Sequence, residues 1–364
     1  MTDPLVTVGV PVYGGRDMLP ALLKCLRTQI YRNIEVLVSV DGADQASAEA
    51  CKPFLREDSR FRMHLQPSRL GWAGNTDWTM RQRRGDFYVY QQHDDLLSPT
   101  YIADLIEASA RWPNAVICFS KMQFMGRERS APSLLGDRTA RVLKYLHRLD
   151  FEPFRGLIRG SALDKTSGLL LSDFDPFDSL GTEFRFMTEL ALHGEFRFVE
   201  GPTYFKSWHG ENLSAKRRGW SMKQRITAKA CWAAWMIEVI APIGASVQER
   251  RNLFKITLER FAGKRDPLEG IRPVLRSVLH KASKALPLRM IPDHLKRSEE
   301  LTGADRRLDC SVQGTIPTRE RPALLRQIFE MLKSGGRFEP HECMNMTWEA
   351  LEAEMLWHYR IRSL

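Results

Sequence analysis

From Leu5 to Gln91 the chain alternates short β-branched runs with stretches of helical periodicity, and this alternation restricts the fold more than any other feature. Leu5–Val12 (LVTVGVPV) has the composition of a strand buried on both faces and stops at Tyr13-Gly14-Gly15. Met18, Leu19, Leu22, Leu23 and Leu26 then recur along one helical face. Ile34–Val40 (IEVLVSV) predicts a second strand, ending at Asp41-Gly42, and a helix is expected from Ala46 to Leu55. Phe61–Leu65 reads as a third strand, Asn75–Arg83 as a third helix, and Asp86–Gln91 as a fourth strand that stops at His93-Asp94-Asp95. Alternation at this spacing predicts an α/β fold: a doubly wound, mostly parallel sheet with helices on both faces. Ligands of such sheets bind at the carboxyl ends of the strands. The three polar turns therefore line one expected edge for a nucleotide-like ligand.

Beyond residue 100 the pattern is less regular. Ser98-Pro99 reads as an N-cap followed by proline at the first position of a helix over Tyr101–Trp112. Ala115–Ser120 predicts a strand, Glu183–His193 a helix closed by Gly194, and Phe196–Val199 a further strand. From about residue 216 the chain is expected to be mainly helical, with Trp232, Trp235, Met236 and Val239 on one apolar face and Phe254, Leu258 and Phe261 on another. The expected organisation is a nucleotide-binding domain over 1–215 and a basic helical region over 216–364.

Charge is distributed unevenly. The chain of 364 residues carries 54 Lys+Arg against 44 Asp+Glu, a net +10. Lys216–Arg297 alone holds 19 Lys+Arg and 6 Asp+Glu, a surplus larger than that of the whole chain. With Trp220, Trp232 and Trp235 this points to a docking face for an anionic acceptor or an anionic membrane surface, the alternative being that these tryptophans are core and the charges solvated. No secretory pattern opens the sequence, and the longest apolar candidate, Cys231–Val247, is interrupted by Glu238 and Pro242. The six cysteines lack C-x-x-C spacing, which predicts reduced thiols. The expected location is cytoplasmic, with peripheral contact at the inner membrane face. Nucleic acid is not expected as a partner, for no zinc spacing, RNP motif or helix-turn-helix is present. The sequence carries no signal for oligomeric state.

Adjacent carboxylates such as Asp94-Asp95 repel each other unless a cation or several donors offset them. Mg²⁺ or Mn²⁺ would do so and would bridge to a diphosphate. A helix cap beside a solvated Asp is the plainer alternative.

Five stretches, in order, resemble the catalytic domain of glycosyltransferase family 2, of the GT-A fold, over roughly residues 5–215. VTVGVPVYGG resembles its opening strand, with Gly14 where the family usually has Asn, and IEVLVSVDGAD its second strand and Asp-Asp-Gly-Ser turn, with Val40 for the first Asp. RLGWAGN and RRGDFYVYQQHDDLLSPTYI resemble the approach to the Asp-x-Asp motif, with Gln92-His93-Asp94-Asp95 in place of Asp-x-Asp-Asp. LGTEFRFMTELALHG resembles the segment bearing the base, and SWHGENLS the Arg/Trp-x-His loop.

This resemblance implies an inverting transfer of a sugar from a nucleotide-diphosphate donor to a hydroxyl of a glycan or lipid-linked acceptor, with Mn²⁺ or Mg²⁺ as cofactor. It implies a setting in polysaccharide biosynthesis at the cell envelope. By position, Pro11, Val12 and Tyr13 would floor the nucleotide pocket, and Asp41 would contact base or ribose. Arg69 and Asn75 would help hold the nucleotide, with Gln92 and His93 beside the donor. Asp94 and Asp95 would hold the metal–diphosphate, joined by His209, and Lys216, Arg217 or Arg218 would reach phosphate. Glu183, eleven positions before Gly194, would be the general base. The altered positions Val40 and Gln92 keep a second reading open, a non-catalytic nucleotide-sugar-binding or scaffold protein.

Overall fold

Two strands buried along their whole length, β1 (Val6–Val12) and β2 (Ile34–Val40), pair in parallel from Val6–Ile34 to Val12–Val40. The computed structural model describes residues 3–169 and 181–208 and isolated positions between 220 and 256. It divides into two units, Met1–Arg225 and Ile226–Leu364. β3 (Phe61–Leu65) extends β2 and β4 (Phe87–Tyr90) extends β1, both in parallel. The connections are α1 (Leu19–Arg27), α2 (Gln45–Glu57) and α3 (Gly71–Arg81).

The period of two along each strand sorts residues onto the two faces. Val6, Val8, Val10 and Val12, with Val36, Val38 and Val40, form one core with Leu19, Leu22, Leu23 and Leu26 of α1 and Ala48 and Cys51 of α2. The other face carries Thr7 and Gly9 of β1, Glu35, Leu37 and Ser39 of β2 and the rings of Tyr88 and Tyr90 of β4. Gly9 leaves room for the Tyr88 ring and the Thr79 hydroxyl, which bond each other at 2.7 Å.

After β5 (Leu96–Leu97) come α4 (Tyr101–Arg111), β6 (Ala115–Phe124), β7 (Arg127–Arg129) and α5 (Arg138–Arg148). A 3-10 turn at Glu152–Arg155, β8 (Leu157–Arg159), α6 (Gly160–Leu163), α7 (Thr182–His193) and β9 (Glu195–Lys206) complete the first unit. Among the described residues the sheet runs β3-β2-β1-β4-β8-β6-β9-β5, with β7 beside β6. β8 lies antiparallel between β4 and β6, and β9 pairs with β6 in parallel. β1–β4, β6 and β9 therefore point the same way, so the expected mixed α/β sheet is mostly parallel.

One cap and one boundary differ from the sequence reading. The helix expected over Tyr101–Trp112 begins at Tyr101, but Ser98 does not cap it: its hydroxyl instead accepts the Thr203 N–H of β9 at 3.0 Å. The last strand extends to Lys206, well past Val199, because Gly201-Pro202 is accommodated inside it: Gly201 takes φ +109 and the register against β6 shifts. A third glycine is fixed by packing. A methyl on Gly156 would meet the Cys118 carbonyl at 2.5 Å and Phe119 Cβ at 2.7 Å. Gly156→Ala is therefore expected to lower unfolding free energy by about 1–3 kcal/mol, seen as a reduced urea midpoint at unchanged slope.

Cys25, Cys51 and Cys118 are free thiols. Among the described residues no helix is long and apolar enough to cross a membrane. Trp232, Met236 and Ile240 are buried, so Trp232 does not stand on an open docking face. Most of the basic segment 216–297 lies outside the described residues.

Candidate functional site

The carboxyl ends of β1 and β2 are tied together before any ligand arrives. Asp44 caps α2 through the Ser47 N–H and accepts the Gly14 N–H at 2.8 Å, while Ser47 Oγ accepts the Gly15 N–H at 3.0 Å. Asp41 is 2% exposed, and its carboxylate accepts the Leu70 N–H at 2.7 Å and the Gly71 N–H at 2.9 Å. Burial pushes its carboxyl up, opposed by those N–H groups and by Arg69. Asp41 thus braces the loop that opens α3. Asn75 is also turned inward, giving its amide to the Ser39 carbonyl at 2.9 Å and accepting the Ser39 hydroxyl at 2.5 Å. Pro11 and Val12 are buried below this edge. Tyr13 is 51% exposed, with the Arg69 guanidinium 3.4 Å from its ring centroid. That stack is the open aromatic surface at the end of β1.

The acidic turn after β4 faces two cations. Gln92 Oε1 accepts Arg155 Nη2 at 3.0 Å and Lys206 Nζ at 2.8 Å. Asp95 is fully buried; its Oδ2 accepts the Tyr204 hydroxyl and its Oδ1 the Ser207 N–H, each at 2.7 Å, and Lys206 Nζ lies 3.5 Å from Oδ2. Burial pushes the Asp95 carboxyl up against the pull of Lys206. Burial and the neighbouring Arg155 lower the Lys206 ammonium, opposed by Asp95 and Asp94. The Arg155 guanidinium centre sits 4.9, 5.2 and 6.0 Å from the rings of Tyr90, Phe154 and Tyr204. Asp94 and His93 are half-buried, and His93 packs so closely on the β1–α1 loop that a methyl on Gly15 would come within 2.8 Å of its ring. The turn therefore spans from the end of β1 to the end of β9.

Glu183 stands in the first turn of α7, where its Oε2 accepts the Gly181 N–H at 2.9 Å. Phe184 and Phe186 pack on Phe151 and Phe154, with centroids 5.2 and 5.9 Å apart, which docks α7 on the Arg155 turn. Glu183 is also within electrostatic reach of Arg155. The ring contacts thus bring α7, which carries the candidate base, onto the turn whose Arg155 meets Gln92.

Of the expected site residues, the fold gathers Tyr13 with Arg69, and Gln92, Asp94 and Asp95 around Lys206 and Arg155. Asp41, Asn75 and Asp95 hold backbone or interior partners. His209 and Lys216-Arg217-Arg218 lie outside the described residues. Among the described residues no three of His, Cys, Asp and Glu gather as a metal site. Asp95 uses both oxygens internally and Gln92 is neutral, so the described donors do not by themselves enclose a divalent ion. Arg155, Tyr204 and Lys206 were not singled out from the sequence. Lys206 carries a signal, two positions before Trp208 of the SWHG stretch. Arg155 carries none, because it reaches the turn only through the insertion of β8 between β4 and β6.

Residues 7–166 match the family model described as Glycosyl transferase family 2. Glycosyltransferase GlyA of Streptococcus pneumoniae is 30% identical over 29% of this chain and 15% of its own length. EpsH of Bacillus subtilis, which also carries a glycosyltransferase name, is 26% identical over 45% of this chain and 47% of its own. The chain thus spans less than half the length of these relatives. Among solved structures, S. aureus TarS 1-349 matches with TM-score 0.55 at 13% identity over 75% of this chain and 79% of that one. Its complex with UDP-GlcNAc matches with TM-score 0.53 at 15% identity, covering 93% and 95%. Residues 7–166 are thus similar to a glycosyltransferase family 2 domain, and the fold is of the GT-A type.

Proposed function

We propose that this chain is an inverting glycosyltransferase that moves a sugar from a nucleotide-diphosphate donor to a hydroxyl of a glycan or lipid-linked acceptor. The observation that carries this reading is the gathering at the Phe154-Arg155 turn: Arg155 meets Gln92 beside Lys206, and α7, which carries Glu183, packs on Phe154 through Phe186. The UDP and UDP-GlcNAc held by the TarS structures support a donor of this class. The basic surplus between Lys216 and Arg297 supports an anionic acceptor.

The nucleotide base stacks against Tyr13 and Arg69, on a loop that Asp41 keeps in place. The diphosphate lies toward the acidic turn. Glu183 takes the proton of the acceptor hydroxyl as its oxygen attacks the anomeric carbon, and the bond to the diphosphate breaks with its electron pair leaving on the nucleotide. The divalent ion that the resemblance implies does not fit this turn by itself, because Asp95 spends both oxygens on Tyr204 and Ser207 and Gln92 is neutral.

Nucleoside diphosphate released from UDP- and GDP-sugars, with a panel of hydroxyl acceptors, tests the reading. Acceptor-dependent release supports it. Binding without release across the panel points to the scaffold reading that Val40 and Gln92 favour. Within this scheme, Arg69→Ala is expected to raise the donor KM roughly 3–30-fold, the worth of one cation–π contact, with kcat nearly unchanged. A kcat loss with unchanged KM would move Arg69 away from the donor.

A further inference from the structure

We infer that Lys206, with Arg155 behind it, is the cation that meets the donor's diphosphate, so that nucleoside diphosphate binds this chain without a divalent ion. The inference rests on the donor reading of the edge and adds to it the source of positive charge.

Three observations carry it. First, both cations converge on Gln92, whose carboxamide oxygen is neutral and accepts from each. A carboxylate there would cancel one of the two charges; a carboxamide fixes their geometry and leaves their charge in place. Second, the charges around the turn then balance, Arg155 and Lys206 against Asp94 and Asp95. A carboxylate at Gln92 would add a third negative charge on the turn itself and so attract a divalent ion. Third, the two cations differ in access. Arg155 is buried under three aromatic rings, whereas the Lys206 side chain is 19% exposed at the carboxyl end of β9. Its ammonium has three donors, and Gln92 and Asp95 take two of them. The Ser207 N–H bond to Asp95 fixes the backbone beside it. Lys206 is therefore anchored, charged and open on one side, as a phosphate ligand needs to be.

Calorimetric titration of the full chain with UDP and with GDP, in EDTA and in Mn²⁺, tests this. Wild-type affinity for the nucleotide that binds is expected to change less than about threefold between the two conditions. Lys206→Met is expected to lose roughly 10–100-fold in EDTA, the worth of a charge-assisted bond, and Lys206→Arg to retain most of the affinity. Gln92→Asp is expected to make binding depend on Mn²⁺, and it needs no intact Lys206 variant to be informative. Wild-type binding that collapses in EDTA overturns the inference and leaves the donor reading standing. Equal affinity for Lys206→Met and wild type, with matching thermal melts, also overturns it. If neither nucleotide binds in either condition, the donor reading falls and the inference with it.

Discussion

Glu183→Gln is expected to lower kcat by about 10²–10⁴-fold while donor affinity stays within about threefold, because a general base acts on the acceptor proton in the transition state and contributes little to holding the donor. The amide keeps the shape of the side chain and its oxygen still accepts the Gly181 N–H, so the start of α7 is retained. What is lost is the ability to take a proton. Glu183→Asp keeps the charge and withdraws it by one methylene, about 1.5 Å, a displacement on which catalytic geometry is sensitive, so an intermediate loss is expected. Single-turnover kinetics with saturating donor, alongside thermal melts of each variant, read these effects. Full activity in Glu183→Gln would place the base elsewhere and reduce Glu183 to a helix-end carboxylate favoured by the macrodipole.

The second large effect is on stability. Asp95→Ala is expected to cost about 3–5 kcal/mol, a sizeable part of a typical stability of about 5–15 kcal/mol. The carboxylate is fully buried and answers Lys206, the Tyr204 hydroxyl and the Ser207 N–H together. Its removal strands two cations in the interior with Asp94 as their remaining nearby counter-charge on the turn. The double variant Asp95→Ala, Lys206→Met should recover part of the loss, since removing both partners leaves no uncompensated charge. Urea unfolding at neutral pH measures both. An Asp95→Ala chain as stable as wild type would mean that the carboxylate is solvated, and would remove the interior role assigned to it.

The prediction for Asp95 differs from its expected metal role for a physical reason. Two adjacent aspartates at a strand end look equivalent in sequence, yet a turn sends consecutive side chains in different directions. Asp95 goes down against β9, and Asp94 stays half-buried beside it. Asp41 was likewise legible as a strand-end carboxylate, but its two bonds run to Leu70 and Gly71, residues about thirty positions away whose backbone N–H groups leave no trace in side-chain pattern. Asn75 sits where the motif order expected it, and packing of α3 on β2 turned it onto Ser39. The first four strands were readable because each is a β-branched run bounded by turn residues. β8 was not, because Leu157–Arg159 is three residues long and gains its place only by pairing with β4 and β6 at once.

By itself the sequence determined the α/β alternation, the edge on which polar turns collect and the order of motifs that marks the family. These follow from local chemistry: β-branched runs, helical spacing, and glycines and aspartates at strand ends. Tertiary structure alone decided which acidic residues brace the fold and which cations answer them. Arg155 and Lys206 are separated by some fifty residues and meet on Gln92 because an antiparallel strand and a twelve-residue strand bring them to one edge. Charge pairing in a buried site depends on distance in space. A linear pattern records the residues available for it, and the strand order selects the partners.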